Sequence, residues 1–168
     1  LTQPGRGIVY TSSILGNNLP VACGLALAHK LRGTDAVVFA LTGDGAMEEG
    51  AFYETLVFAR SHRLPLVVVV ENNDHSLASR IAERRSPIDL GKLAGALDIP
   101  CRELAGNELG SYLDAFVQAR KQAAGGPVAM EAHVRTFCNH AGATPGWAAD
   151  PRSLSLGAGL TIEPTSED

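Results

Sequence analysis

The unbroken apolar run Leu66, Val67, Val68, Val69, Val70 constrains this chain more than any other segment. Four β-branched residues in succession, with no polar alternation, predict a strand buried on both faces. Such strands belong to parallel sheets covered by helices. Residues 66–71, 36–41, 101–104 and 128–134 read as strands on the same grounds. Between them, Phe52, Leu56 and Ala59 recur at helical spacing, as do Leu109, Leu113 and Phe116, so each segment is expected to lay an apolar stripe on the sheet. Residues 20–31 read as a further helix, closed by Gly33. The alternation predicts an α/β fold: an open, mainly parallel sheet with helices on both faces and right-handed crossovers.

With 168 residues, 45% of them apolar, the chain has the size of one ordinary domain. That domain is expected over residues 1–151, followed by a loose tail over 152–168. From about Gly142 onward the sequence is rich in Gly, Pro, Ser and Thr, carries no period, and ends in Ser166, Glu167, Asp168. Fourteen basic residues against 18 acidic ones give a net charge of −4, with no Lys/Arg run dense enough to follow a phosphate backbone. Nucleic acid is not an expected partner. The longest apolar stretch, residues 64–70, contains Pro65 and falls far short of the roughly 20 residues that span a bilayer, and the start carries no signal-peptide pattern. A soluble, cytoplasmic protein without a membrane partner is expected. Cys23, Cys101 and Cys138 are odd in number and widely spaced, which fits reduced thiols rather than a disulfide framework or a zinc site.

In open α/β sheets, ligands gather beyond the carboxyl ends of the strands. Two turns at that edge are chemically unusual. After the first strand come Gly43, Asp44, Gly45 and Ala46, with a helix expected to open near Met47 or Glu48. Glycines flanking Asp44 let a ligand approach the backbone, and free N–H groups at a helix start favour an anion such as phosphate. Glu48 and Glu49 suit the first turn of that helix on dipole grounds. After the second strand come Glu71, Asn72, Asn73, Asp74 and His75, a second set of oxygen donors. A carboxylate beside a carboxamide suits a hard cation. A Gly-Asp-Gly turn alone is common in βα connections. Here, however, 26 residues separate Gly45 from Asn72, enough for one helix and one returning strand, so the two turns should lie side by side.

This pairing resembles the cofactor signature of the thiamine diphosphate (ThDP)-dependent enzymes. The nearest likeness is to the α chain of the E1 component of 2-oxoacid dehydrogenases. It rests on Gly43 to Gly50 (GDGAMEEG), Leu64 to Asn73 (LPLVVVVENN), the upstream Leu15, Gly16, Pro20 and Gly24, and Met130, Glu131 and His140 further on. It spans about residues 13 to 151. Met47, Glu48, Glu49 and Gly50 are also similar to the transketolase pattern. The resemblance implies that Mg²⁺ is held by the Asp44 carboxylate, the Asn73 side-chain oxygen and the His75 backbone carbonyl. His75 stands where the family usually has tyrosine, a change that a main-chain ligand tolerates. It further implies that Gly45 and Ala46 offer backbone N–H groups to the diphosphate, with Gly43 shaping the turn and His140 as a side-chain donor. Arg135 is a weaker candidate for that role. Leu15 and Ser13 would present backbone carbonyls to the aminopyrimidine.

In this family a glutamate beside the aminopyrimidine promotes the imino tautomer that deprotonates the thiazolium C2, and it belongs to a separate pyrimidine-binding domain. No second domain of that kind is legible here. The resemblance therefore implies a partner chain of E1β type that supplies the glutamate, in an αβ or α₂β₂ assembly with the cofactor at the interface. The regions that precede and follow this segment in an ordinary E1 α chain are not represented, which leaves the substrate open. E1 chemistry would form a cofactor-bound acyl carbanion from a 2-oxo acid and pass it to a lipoyl or other acyl carrier. Transketolase-type chemistry would move a two-carbon ketol unit from a ketose phosphate. A non-catalytic scaffold subunit is a further reading, against which Asp44 and Asn73 both argue. A Rossmann nucleotide site is disfavoured because no G-x-G-x-x-G turn and no Walker lysine are present.

Overall fold

The valine run forms the middle of the sheet. A computed structural model describes residues 3, 5, 7–76, 79–106 and 108–134. Arg135, Cys138, His140 and the expected tail over 152–168 lie outside the described residues. In chain order the elements are α1 (Asn18–Leu31), β1 (Val38–Gly43), a 3-10 turn (Asp44–Glu48), α2 (Gly50–Ser61), β2 (Leu66–Asn72), β3 (His75–Ser76), β4 (Ser79–Arg80), α3 (Ile81–Arg84), α4 (Leu90–Ala96), β5 (Cys101–Leu104), α5 (Leu109–Ala123) and β6 (Val128–His133). Four of the strands form one parallel sheet in the order β1-β2-β6-β5, and β3 and β4 make a small antiparallel ribbon.

Leu66 to Val70 are each fully or almost fully buried, as a strand with neighbours on both edges and helices on both faces must be. Leu66, Val68 and Val70 join Ala40 in a core against α1, α2 and α4, which contribute Leu19, Phe52, Leu56 and Leu90. Val67 and Val69 face the other way, with Val128 and Met130, onto α5. The units β1-α2-β2 and β5-α5-β6 advance across the sheet in opposite directions. A constant crossover hand therefore places α2 and α5 on opposite faces, as observed.

The α1 helix ends as expected at Gly33. Its φ is +66°, its N–H donates to Lys30 O at 3.1 Å, and the Thr34 N–H donates to His29 O at 3.1 Å, the two bonds of a Schellman closure. The first strand sits two residues later than expected. The Val38 N–H bonds to Pro65 O, and the ladder with β2 runs from Val38↔Leu66 to Gly43↔Glu71, so the partner strand and not the apolar run decides where β1 begins. At this edge strand the Leu41 carbonyl accepts from Asn18 Nδ2 at 2.7 Å.

The expected stripe on α5 is corrected. Leu109 and Leu113 are 81% and 63% exposed, while Ala115, Ala119 and Ala123 lie against the sheet with Tyr112 and Phe116 at their flank. Both series have helical spacing. The alanine series lets the helix axis come closer to the strands, and Phe116 then meets Phe39 with ring centroids 6.0 Å apart. Cys23 is buried and Cys101 half-buried, both reduced, in keeping with packing roles. Among the described residues no helix is long and apolar enough to cross a membrane.

Phe52, fully buried on α2, and Leu113 test this division. Phe52→Ala should cost about 3–5 kcal/mol, whereas Leu113→Ala should change stability by no more than about 0.5 kcal/mol. Urea unfolding of the two variants beside the parent chain measures both.

Candidate active site at the carboxyl edge of β1 and β2

Because Gly43 pairs with Glu71 in the parallel ladder, Asp44, just beyond β1, and Asn72, the last residue of β2, are neighbours. The two turns singled out in the sequence are thus adjacent. Their contact is tight: a Cβ on Gly45 would lie 2.5 Å from Ser76 Oγ and 2.8 Å from Ser76 Cβ. Gly45 is therefore required by the chain's own packing. Gly43 meets no such crowding, since the nearest atom to a Cβ there would be Glu71 O at 4.0 Å.

The expected helix start near Met47 or Glu48 is replaced by the buried 3-10 turn, and α2 opens only at Gly50. The first amides of such a turn have no partner three residues earlier, so the Gly45 and Ala46 N–H groups keep the donor character expected of a helix start. The dipole role expected for Glu48 and Glu49 is corrected in the same way. Glu49 precedes α2 and makes no side-chain cap, while Glu48 turns toward two arginines.

The turn after β2 is organised by asparagine side chains. Asn72 Oδ1 accepts from the Asp74 N–H at 3.0 Å, and Asn72 Nδ2 donates to the buried Glu131 of β6 at 2.7 Å. Asn72 thereby supplies the partner that a buried carboxylate requires. Asn73 Oδ1 accepts from the His75 N–H at 3.0 Å. A carboxamide oxygen has two lone pairs and is a hard donor of the kind that a cation takes. The His75 ring folds back, its Nδ1 lying 3.0 Å from Asn73 O, which leaves His75 a main-chain rather than a side-chain candidate. Asp74 takes a left-handed φ of +61°, and its carbonyl and carboxylate both accept from the Ile81 N–H, tying the β3–β4 ribbon to α3.

A third segment joins these two. Gly16, at φ +71°, is packed so that a Cβ would lie 3.2 Å from Glu49 Cβ, and Leu15 Cδ1 approaches within 3.9 Å of a Cβ placed on Gly45. The structure thus brings Leu15 together with Asp44, Gly45, Ala46, Asn73 and His75. Ser13, two residues before Leu15, is exposed. Arg135 and His140 fall outside the described residues.

Sequence reasoning missed the arginines that complete the site. Asp44 is 1% exposed, and its Oδ2 accepts from Arg84 Nη2 at 2.9 Å. Arg84 Nε and Arg85 Nε both reach Glu48 Oε1 at 3.0 Å. Burial works against the Arg84 charge, yet its hydrogen bonds and attraction to Asp44 and Glu48 outweigh that and lift the guanidinium above its ordinary pKa. Burial alone would likewise raise the Glu48 carboxyl, but Arg84 and Arg85 together hold it below its ordinary value. The available signal was an adjacent arginine pair eleven residues after Asn73, in a run that reads as a solvated face.

A depression of about 550 Å³ opens at the opposite edge of the sheet, lined in part by Lys30, Arg63, Arg120 and Lys121. Its cations sit where the carboxyl ends of α1, α2 and α5 gather, and they complement those helix dipoles. Elsewhere, burial and the nearby Glu131 and Glu103 push the Cys101 thiol up to about 11, so it is a poor nucleophile near neutral pH.

Two predictions follow from these contacts. Gly45→Ala should destabilise the chain by about 1–3 kcal/mol through overpacking, and Ser76→Gly should recover most of that loss in the double variant, measured as a thermodynamic cycle. The lowered Glu48 pKa contributes stability that is present above the ordinary value of 4.5 and is lost as pH falls below it. The melting temperature of Glu48→Gln should therefore fall less steeply than that of the parent chain from pH 4.5 downward.

Comparison with known proteins gives the family and the fold. A family profile described as the dehydrogenase E1 component matches residues 1–143. The chain is 35% identical over 132 residues to the pyruvate dehydrogenase E1 component subunit alpha of Acholeplasma laidlawii, covering 76% of this chain and 38% of that protein. It is 31% identical over 124 residues to the protein of the same name from Rickettsia bellii, covering 74% and 38%. The chain thus spans well under half the length of these relatives. In fold it is similar to transketolase from Leishmania mexicana, with a TM-score of 0.63 and 23% identity over 73% of this chain and 20% of that one. The fold is the ThDP-binding fold, and the chain belongs to the dehydrogenase E1 component family.

Proposed function

We propose that this chain is the diphosphate- and Mg²⁺-binding part of a ThDP enzyme that acts on a 2-oxo acid. The observation that carries the reading is the contact of Gly45 with Ser76, which fixes the Asp44 turn beside the Asn73–His75 turn. The donor set suits the group: a carboxylate, a carboxamide oxygen and a main-chain carbonyl are the hard oxygen ligands that Mg²⁺ takes beside phosphates.

When bound, ThDP supplies the nucleophilic carbon and electron sink for cleaving the bond next to a carbonyl. The chain's own work is positioning and electrostatics. Asp44, Asn73 and the His75 carbonyl hold the metal, and the Gly45 and Ala46 N–H groups bind the diphosphate, with His140 as a further donor. Leu15 and Ser13 present carbonyls toward the aminopyrimidine end. Asp44, Ala46 and Met47 are themselves buried, so the turn is shielded from water. The activating glutamate comes from a partner chain of E1β type, in an α₂β₂ assembly that passes its product to a lipoyl or other acyl carrier in the cytoplasm.

Asp44→Asn tests the metal assignment. The isostere keeps an acceptor for Arg84, whereas Asp44→Ala would leave Arg84 with Glu48 as its remaining charge partner and mix a packing change into the test. Native mass spectrometry of the assembled complex in Mg²⁺ and ThDP should find about one ThDP per copy of the parent chain and none on Asp44→Asn. Equal retention by both would refute the assignment. Offered separately, a 2-oxo acid should yield CO₂ and a ketose phosphate no aldose; the reverse would establish transketolase-type transfer.

A further inference from the structure

We infer that Arg84 is the positioning residue for the metal ligand Asp44, holding one carboxylate oxygen so that the other is presented to the cation. The inference rests on the Mg²⁺ reading above and adds a residue that this reading does not assign. Every nitrogen of the Arg84 guanidinium is committed: Nη2 to Asp44 Oδ2 at 2.9 Å, Nε to Glu48 Oε1 at 3.0 Å, and Nη1 to Ser79 O at 2.5 Å. These acceptors lie on the 3-10 turn and on β4, so the guanidinium spans both walls of the site. Its side chain is 15% exposed. Arg85 braces the same turn from alongside, with Nε to Glu48 Oε1 at 3.0 Å and Nη2 to Asp44 O at 3.4 Å.

This arrangement sets the carboxylate's rotation. Asp44 Oδ2 is taken, and no described donor reaches Oδ1, so Oδ1 is the oxygen open to a metal. Two alternatives are less consistent with the geometry. If Arg84 were a stand-in that departs when metal arrives, three hydrogen bonds of a partly buried guanidinium would break together. If it turned to the diphosphate, Ser79 O would lose its donor and Glu48 one of its two arginines. Charge also favours retention, because Arg84 and Arg85 balance Asp44 and Glu48, and a dication arriving with a diphosphate displaces none of them. Outer-shell partners of metal-binding carboxylates typically matter by 10–100-fold in metal affinity.

The test is Mn²⁺ binding, followed by electron paramagnetic resonance with ThDP present, on the full chain in the assembly with which it purifies. Arg84→Gln should weaken Mn²⁺ by about 10–100-fold. Arg84→Lys, which keeps the charge and one bond to Asp44 but not the fork, should fall between Arg84→Gln and the parent. Melting without metal is recorded for all three, because a merely structural role would lower stability without grading the affinity in that order. Unchanged affinity in Arg84→Gln overturns the inference, and tighter binding overturns it in favour of a competing cation. If Arg84→Gln does not fold, Arg84→Lys decides alone: weaker binding than the parent supports the inference, and equal or tighter binding ends it. Absence of Mn²⁺ binding by the parent chain would instead remove the metal reading and this inference with it, which separates the two failures.

Discussion

Over Leu66 to Val70 the β2 strand is hydrogen-bonded on both edges, covered on both faces and shut off from water, and the rest of the sheet and its covering helices answer that requirement. Its backbone groups are satisfied by β1 and β6, which lie alongside it in parallel, and its valines are sheltered by helices on both faces. Parallel neighbours need crossovers, so their carboxyl ends collect at one rim of the sheet while the returning helices occupy the faces. The candidate site is a consequence of that rim. Asp44 and Asn72 meet because the ladder aligns Gly43 with Glu71, before any side chain at the site makes a contact.

Polar side chains then convert adjacency into a defined geometry. The consecutive asparagines divide the work. Asn72 faces back into the sheet, where Glu131 needs a donor, and Asn73 turns out into the loop. The neighbouring turn is gripped from outside the sheet by Arg84 and Arg85. Asp44, at 1% exposure, thus has a cationic partner in Arg84 before any ligand is considered, as a buried carboxylate requires.

What was legible in the sequence follows the range of the interactions involved. The β2 strand, the helix end at Gly33 and the juxtaposed turns depend on local pattern or on the length of one crossover, and each lies where the sequence places it. The β1 boundary depends on where its partner begins, and the α5 stripe depends on how closely alanines let a helix approach; neither is encoded in a window of hydropathy. Arg84 lies 40 residues from Asp44 in sequence, within a charged run that looks like any solvated face. Its importance exists only once the β3–β4 ribbon has folded back over the 3-10 turn. Gly45 was singled out for ligand approach, and the structure adds a second reason, the bulk of Ser76.

The Asn18 side chain on the Leu41 carbonyl has a bearing on self-association. β1 ends the described sheet, and an edge strand with unclaimed backbone groups is a template on which another chain can extend the ladder. Asn18 lies in the first turn of α1, so the helix that shields one face of the sheet also reaches around to occupy a position on its border. A foreign strand adding at Leu41 would have to displace a side chain anchored in a helix packed through Leu19 and Ala22, and so the same element that builds the core also discourages edge-to-edge aggregation.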